Sequence, residues 1–166
     1  MRAIDQALVD EIWRETATYE AERAKAEAKL FLTRQPHVAE IWQELTKEFD
    51  TEAQQAALGL AFLLFKIVEA SLGVPFPTIA RERIIRAYEA TTEWLEQWDG
   101  AEPRIFLRSV QGGGEFPHPN LIQYLLTVFY GEDPESAAYD EEVKANLFLL
   151  LKTLTDTLDI GEVEQT

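Results

Sequence analysis

Two nearly identical apolar segments place the strongest constraint on how this chain can fold. The segment "AFLLFKIVE" spans residues 61–69 and "LFLLLKTLT" spans residues 147–155, and each carries one lysine at the same place. A helix that is apolar around its whole circumference has to be buried on every side. No part of the chain alternates apolar and polar residues over the length of a strand. The two segments therefore predict an all-α fold in which both are central helices.

The recurrence of apolar residues every three or four positions, together with the turn residues between these segments, predicts a compact six-helix bundle. We expect helices over about 3–32, 36–49, 51–72, 78–98, 120–130 and 134–158, with a short helical piece at 104–110. Asp50 is expected to cap the third helix at its N-terminus and Gly73 to end it, while Thr78 is a candidate cap for the fourth. The bundle is a single domain over residues 1–160, followed by a frayed acidic tail at 161–166.

A row of small and aromatic residues follows one face of the predicted first helix. Its members recur every three or four positions: Trp13, Ala17, Ala21, Ala24, Ala28 and Phe31. Such a row lets another helix approach closely, and packing within the chain is the expected use. A seam between two copies of the chain is the alternative.

Five sequence echoes in the same order indicate an internal duplication. The pairs are Tyr19-Glu20-Ala21 with Tyr88-Glu89-Ala90, Phe31-Leu32 with Phe106-Leu107, Pro36 with Pro119, Asp50-Thr51-Glu52 with Asp133-Pro134-Glu135, and Phe62–Lys66 with Phe148–Lys152. They predict two three-helix halves, 1–73 and 77–160, related by a pseudo-twofold axis. Chance similarity among six amphipathic helices is the alternative.

Charge and composition exclude several classes of function. The chain carries 30 acidic and 15 basic residues, a net charge of −15, which opposes binding to nucleic acids and anionic membranes. It has no cysteine, which excludes disulfides, thiolate nucleophiles and cysteine-ligated metals. The longest apolar run, 56–65, is shorter than the roughly 20 residues that span a bilayer. We expect a soluble, cytoplasmic protein with neither a nucleic-acid nor a membrane partner.

The two lysines of the apolar segments are the first candidates for chemistry. A lysine in an apolar environment can have a lowered pKa and act as a base or nucleophile. The alternative is that its stem lies along apolar surface and its ammonium reaches water or an acid. The candidate partners are Glu69 for Lys66 and Asp156 for Lys152.

Two histidines and two glutamates are candidate metal ligands. His37 with Glu40, and His118 with Glu115, lie beside prolines that occupy equivalent places in the predicted halves. A di-iron bundle needs Glu-x-x-His on regular helices, and Pro117 disfavours a regular helix between Glu115 and His118. The histidines are therefore interpreted as solvent-facing residues at helix starts, and no cofactor is expected.

The favoured function is that of a non-catalytic interaction, adaptor or chaperone-like protein with an unidentified protein partner, which is also a candidate homodimer. The interaction candidates are Trp94, Trp98, Phe116 and His118, because aromatic residues are common at interfaces. One alternative is an Mg²⁺-dependent all-α enzyme that acts on a phosphorylated or nucleotide substrate. It would use carboxylate stripes such as Glu40, Glu44 and Glu48. A second alternative is an acidic mimic of DNA that binds a basic partner.

Overall fold

The computed structural model describes residues 2–96, 118–130 and 141–158, which form seven α-helices and no strand. The prediction of an all-α fold is confirmed for these residues. The helices are α1 (Gln6–Ala17), α2 (Ala21–Arg34), α3 (Pro36–Leu45), α4 (Thr51–Leu72), α5 (Arg81–Glu96), α6 (Pro119–Tyr130) and α7 (Glu141–Thr157). The predicted helical piece at 104–110 and the tail at 161–166 lie outside the described residues.

Local signals fix both ends of α4. The Asp50 side chain accepts a hydrogen bond from the Ala53 N–H at 2.8 Å, which satisfies a backbone donor that the first turn would otherwise leave open. Gly73 ends the helix in the left-handed conformation, with φ of 79°. Both predictions are confirmed. Thr78 is not a cap, because its hydroxyl donates to the Arg34 carbonyl and the next helix begins only at Arg81.

The predicted single helix over 3–32 is wrong, because the chain breaks at residues 18–20 into α1 and α2. The Thr16 hydroxyl donates to the Trp13 carbonyl, and the Thr18 hydroxyl donates to the Glu15 carbonyl at 2.7 Å. Threonine hydroxyls compete with the backbone for helical carbonyls, and they loosen the continuation of a helix. This division explains why seven helices are described where six were predicted.

The break also exposes the row of small residues that was expected to pack inside the chain. Trp13 is 53% exposed, and Ala17, Ala21 and Ala24 are exposed. Instead α1 buries a different face, formed by Leu8, Val9 and Ile12, and contacts α4 with it. Phe31 is the buried residue of α2. The prediction of packing within the chain is therefore wrong for most of the row.

The two apolar helices lie in the core and contact each other. α4 contacts α1 and α7, while α7 also contacts α5 and α6. Four phenylalanines tie α2 and the connector between α4 and α5, residues 73–80, to α4: the Phe31 and Phe65 rings are 4.8 Å apart, and Phe62 and Phe76 complete the cluster. Each fully buried large apolar side chain stabilises the fold by about 1.5–3 kcal/mol.

By length and composition α4 could cross a membrane, since an 18-residue window in it has a mean hydropathy of 1.6. In this structure 44% of that window is buried against the rest of the protein. The core helix of a soluble protein has the same composition, so the helix does not decide between the two settings.

The structure describes both members of three echoed pairs, and the first of them, Phe62–Lys66 with Phe148–Lys152, lies inside α4 and α7. Pro36 and Pro119 each begin a helix, α3 and α6, in agreement with the duplication. Tyr19 lies in the break between α1 and α2, whereas Tyr88 lies inside α5, so this pair occupies different structural places. The echoes at Phe106 and Asp133 fall outside the described residues, and the pseudo-twofold relation stays a prediction.

Candidate functional site

The break between α1 and α2 leaves a cleft over α4, which we call the Lys66 cleft. Its volume is about 380 Å³. Its walls come from α1, the break, the end of α2, the last turns of α4 and the connector that follows. The lining residues are Ile12, Glu15, Thr16, Tyr19, Arg34, Lys66, Glu69, Ala70, Gly73, Val74 and Pro75.

Lys66 lies in this cleft and pairs with an acid from another helix. Its Nζ is 2.9 Å from Glu27 Oε2 on α2, and both side chains are 28% exposed. Burial opposes the charged ammonium, but the hydrogen bond to Glu27 and the proximity of Tyr19 outweigh it and raise the pKa of Lys66. A raised pKa keeps the amine protonated, which argues against a nucleophilic lysine. The predicted partner, Glu69, is wrong.

Glu69 and Gln35 instead hold the connector that forms one rim of the cleft. Glu69 Oε2 accepts from the Phe76 N–H at 2.8 Å. The buried Gln35 amide donates to the Phe76 and Pro77 carbonyls, and its Oε1 accepts from the Ile79 N–H at 3.0 Å. Sequence reasoning missed Gln35, because a lone glutamine before a proline carries no pattern that reveals burial.

Arg34 brings a second cation to the cleft, from the last turn of α2. Within the described ranges its guanidinium has no ion-pair partner. The same side chain lines a smaller hollow beside the cleft, next to Lys66 and Glu69. The cleft thus holds one paired and one unpaired cation.

A second concave surface lies between α3 and α5, and we call it the α3–α5 groove. Its volume is about 520 Å³, and it is lined by Glu40, Ile41, Gln43, Glu44, Leu45, Arg81, Ile85 and Tyr88. Ile85 is 37% exposed there, between the half-buried Leu45 and Tyr88. An Arg81–Glu40 ion pair of 2.5 Å crosses the groove, and Lys47 lowers the pKa of Glu44 through a hydrogen bond.

Lys152 occupies a closed environment between α5 and α7. Its Nζ is 2.8 Å from Asp156 Oδ2, the predicted partner, and 4.7 Å from the centre of the Trp94 ring. The Lys152 side chain is 4% exposed. The Thr91 hydroxyl donates to the same aspartate oxygen, whereas Asp156 Oδ1 is buried without a hydrogen-bond partner in the described part of the chain.

The candidate metal ligands do not form a site among the described residues, where no three His, Asp or Glu side chains form a group that could hold a metal ion. Glu40 is paired with Arg81, and His37 is half-buried at the start of α3. His118 is buried rather than solvent-facing, and its Nε2–H donates to the Leu158 carbonyl. Glu115 lies outside the described ranges.

Of the interaction candidates, Trp94 is half-buried over Lys152 and His118 is buried. Trp98 and Phe116 lie outside the described residues. The exposed apolar side chain in the α3–α5 groove, Ile85, was missed, because a single isoleucine within an amphipathic helix does not reveal which face is left open.

No protein-family model, curated protein or solved structure matches this chain.

Proposed function

We propose that this protein is a non-catalytic interaction protein that binds a basic, amphipathic helical segment of a protein partner in the α3–α5 groove. The observation that carries the proposal is the exposure of Ile85 in a groove with an apolar floor and an acidic border. Ile41 and Leu45 from α3 face Ile85 and Tyr88 from α5 across that groove. Apolar residues spaced by one helical turn on both walls suit a third helix.

The charge around the groove favours a basic partner. The outer surfaces of α3, of the turn that follows it and of α5 carry many exposed carboxylates: Glu40, Glu44, Glu48, Glu82, Glu89, Glu93 and Glu96. Fewer cations lie on the same segment: Lys47, Arg81, Arg83 and Arg86. The net charge of −15 attracts a basic partner over long distances and so raises the rate of association.

The two alternative functions remain hypotheses that differ in what they require. An Mg²⁺ enzyme needs several converging carboxylates, and such a cluster is absent among the described residues. A mimic of DNA needs rows of acids but no apolar anchor, so it would bind lysine-rich peptides regardless of Ile85. The cytoplasmic location and the homodimer likewise stay predictions.

The finer architecture is also part of this proposal. We expect two three-helix halves, 1–73 and 77–160, to pack their apolar helices together about a pseudo-twofold axis. The contact between α4 and α7 supports this arrangement. The different structural places of Tyr19 and Tyr88 count against it.

A titration with a defined peptide tests the function. The probe is a fluorescein-labelled synthetic helix of leucine and lysine with one apolar face, and anisotropy reports its binding. We expect Ile85→Asp to weaken binding at least tenfold, because it places a charge in the apolar floor. The matched control is Val74→Asp, since Val74 is 57% exposed and lies on the Lys66 cleft instead.

Three results would contradict the proposal. One is unchanged affinity in the Ile85→Asp variant, and another is equal loss in the Val74→Asp control. The third is equal binding of a lysine-only peptide without leucines, which would favour the acidic mimic of DNA. Far-ultraviolet circular dichroism of each variant checks that the helices are intact.

A further inference from the structure

The Lys66 cleft has the size and mixed character of a site for a small organic molecule. Its volume of about 380 Å³ falls within the roughly 300–1,000 Å³ that is usual for such sites. Ile12, Ala70, Val74 and Pro75 supply apolar surface, and Val74 is 57% exposed. The rim is held in place, because Glu69 and Gln35 anchor the connector by hydrogen bonds.

Some charged side chains at the cleft already form an ion pair or a hydrogen bond within the protein, and others do not. Lys66 is paired with Glu27, which lines the smaller hollow beside the cleft, and Glu69 accepts the Phe76 N–H. Glu15 receives a long hydrogen bond of 3.4 Å from the Tyr19 hydroxyl. Among the described residues the Arg34 guanidinium has no ion-pair partner. Arg34 is therefore the charged side chain lining the cleft that has neither an ion pair nor a side-chain hydrogen bond within the described ranges.

A guanidinium favours a planar anion, since its N–H donors match the two oxygens of a carboxylate. The Lys66 ammonium lines the same cleft and adds positive charge, although Glu27 offsets it locally. The exposed apolar wall at Val74 and Pro75 suits a hydrocarbon body attached to that carboxylate. A free inorganic anion would leave this wall uncovered.

From this arrangement we propose that the Lys66 cleft binds a small organic carboxylate with an apolar body. Its carboxylate contacts Arg34, and its hydrocarbon part covers the exposed Val74 and Pro75. This site is separate from the α3–α5 groove and does not depend on the function proposed for it.

Isothermal titration calorimetry with octanoate as the probe tests the proposal. We expect saturable binding that Arg34→Gln weakens at least tenfold, while Arg14→Gln leaves it unchanged. Arg14 is an exposed arginine on α1 that does not line the cleft. Val74→Asp should also weaken the binding of octanoate, whereas Ile85→Asp should not. In the peptide titration the opposite is expected, because there Ile85→Asp weakens binding and Val74→Asp does not.

Titrations with octanol, octylammonium and inorganic phosphate show how much the hydrocarbon chain and the negative charge of octanoate each contribute to its affinity. We expect each to bind at least tenfold more weakly than octanoate. Tight binding of octanol or octylammonium would overturn the assignment of a carboxylate, and tight binding of phosphate would overturn the need for an apolar body. No saturable heat with octanoate, or equal affinity in Arg34→Gln, would overturn the site itself.

Discussion

Lys66 and Lys152 have nearly the same local sequence but very different surroundings. Lys66 pairs with Glu27 from another helix, at the edge of an open cleft, and its side chain is 28% exposed. Lys152 pairs with Asp156 one turn further along its own helix, and its side chain is 4% exposed. The apolar neighbours in sequence make both helices central, whereas the acidic partner of Lys66 comes from a distant helix and that of Lys152 from its own helix.

The largest loss of stability is expected when the buried Lys152 is substituted. Lys152→Met leaves the Asp156 carboxylate without its counter-ion, and breaking a buried pair commonly costs about 3–5 kcal/mol. Because the Asp156 side chain is 21% exposed, we expect a loss near the lower end of that range, about 3 kcal/mol in the free energy of unfolding. Urea denaturation measures it.

The double variant Lys152→Met with Asp156→Leu is the matched control. Replacing both charges by apolar groups removes the unpaired carboxylate, so most of the lost stability should return. A double variant as unstable as the single one would show that the pair itself does not account for the loss.

Gln35→Ala should cause the next largest loss in the free energy of unfolding, because the hydrogen bonds of Gln35 hold the connector beside the Lys66 cleft. It removes three hydrogen bonds to the connector, and the loss should be about 2 kcal/mol because a net contribution of roughly 0.5–1.5 kcal/mol each is typical. The control is Gln6→Ala, whose exposed bond to Asp10 should matter by less than about 0.5 kcal/mol. Equal effects in thermal unfolding would contradict the role of Gln35 as an anchor.

A smaller effect is expected for Lys66→Met, about 1 kcal/mol at neutral pH, because partly exposed ion pairs contribute little. The pKa of Lys66 is raised in the folded state, so its contribution is present below its ordinary value of 10.5 and is lost as the pH rises through the folded-state value. The stability difference between the variant and the parent should therefore shrink above pH 10.5. A stability difference that grows with pH would contradict a raised pKa of Lys66. The control is Lys25→Met on the exposed face of α2, which should show no such pH dependence.

The sequence predicted what depends on neighbouring residues along the chain. The all-α class, the cap at Asp50, the glycine end at Gly73 and the pair between Lys152 and Asp156 all involve residues within one helix or at its ends. These features follow from helical geometry alone, which places residues four apart on one face.

The features that the sequence did not predict depend on contacts between distant segments. The break at residues 18–20 sets Tyr19 near Lys66 on α4, and Gln35 reaches a connector more than 40 positions away. His118 is buried because it meets the Leu158 carbonyl. No periodicity in a single segment carries that information, so the Lys66 cleft and the α3–α5 groove become visible only in the fold.

One repeated sequence pattern produces an open lysine in a cleft, Lys66, and a closed lysine in the core, Lys152. Reductive methylation of the native protein, followed by mass spectrometry of its peptides, tests this claim directly. We expect the exposed Lys25 to react first, Lys66 more slowly and Lys152 only after unfolding. Modification of Lys152 as fast as Lys66 in the folded protein would contradict the claim.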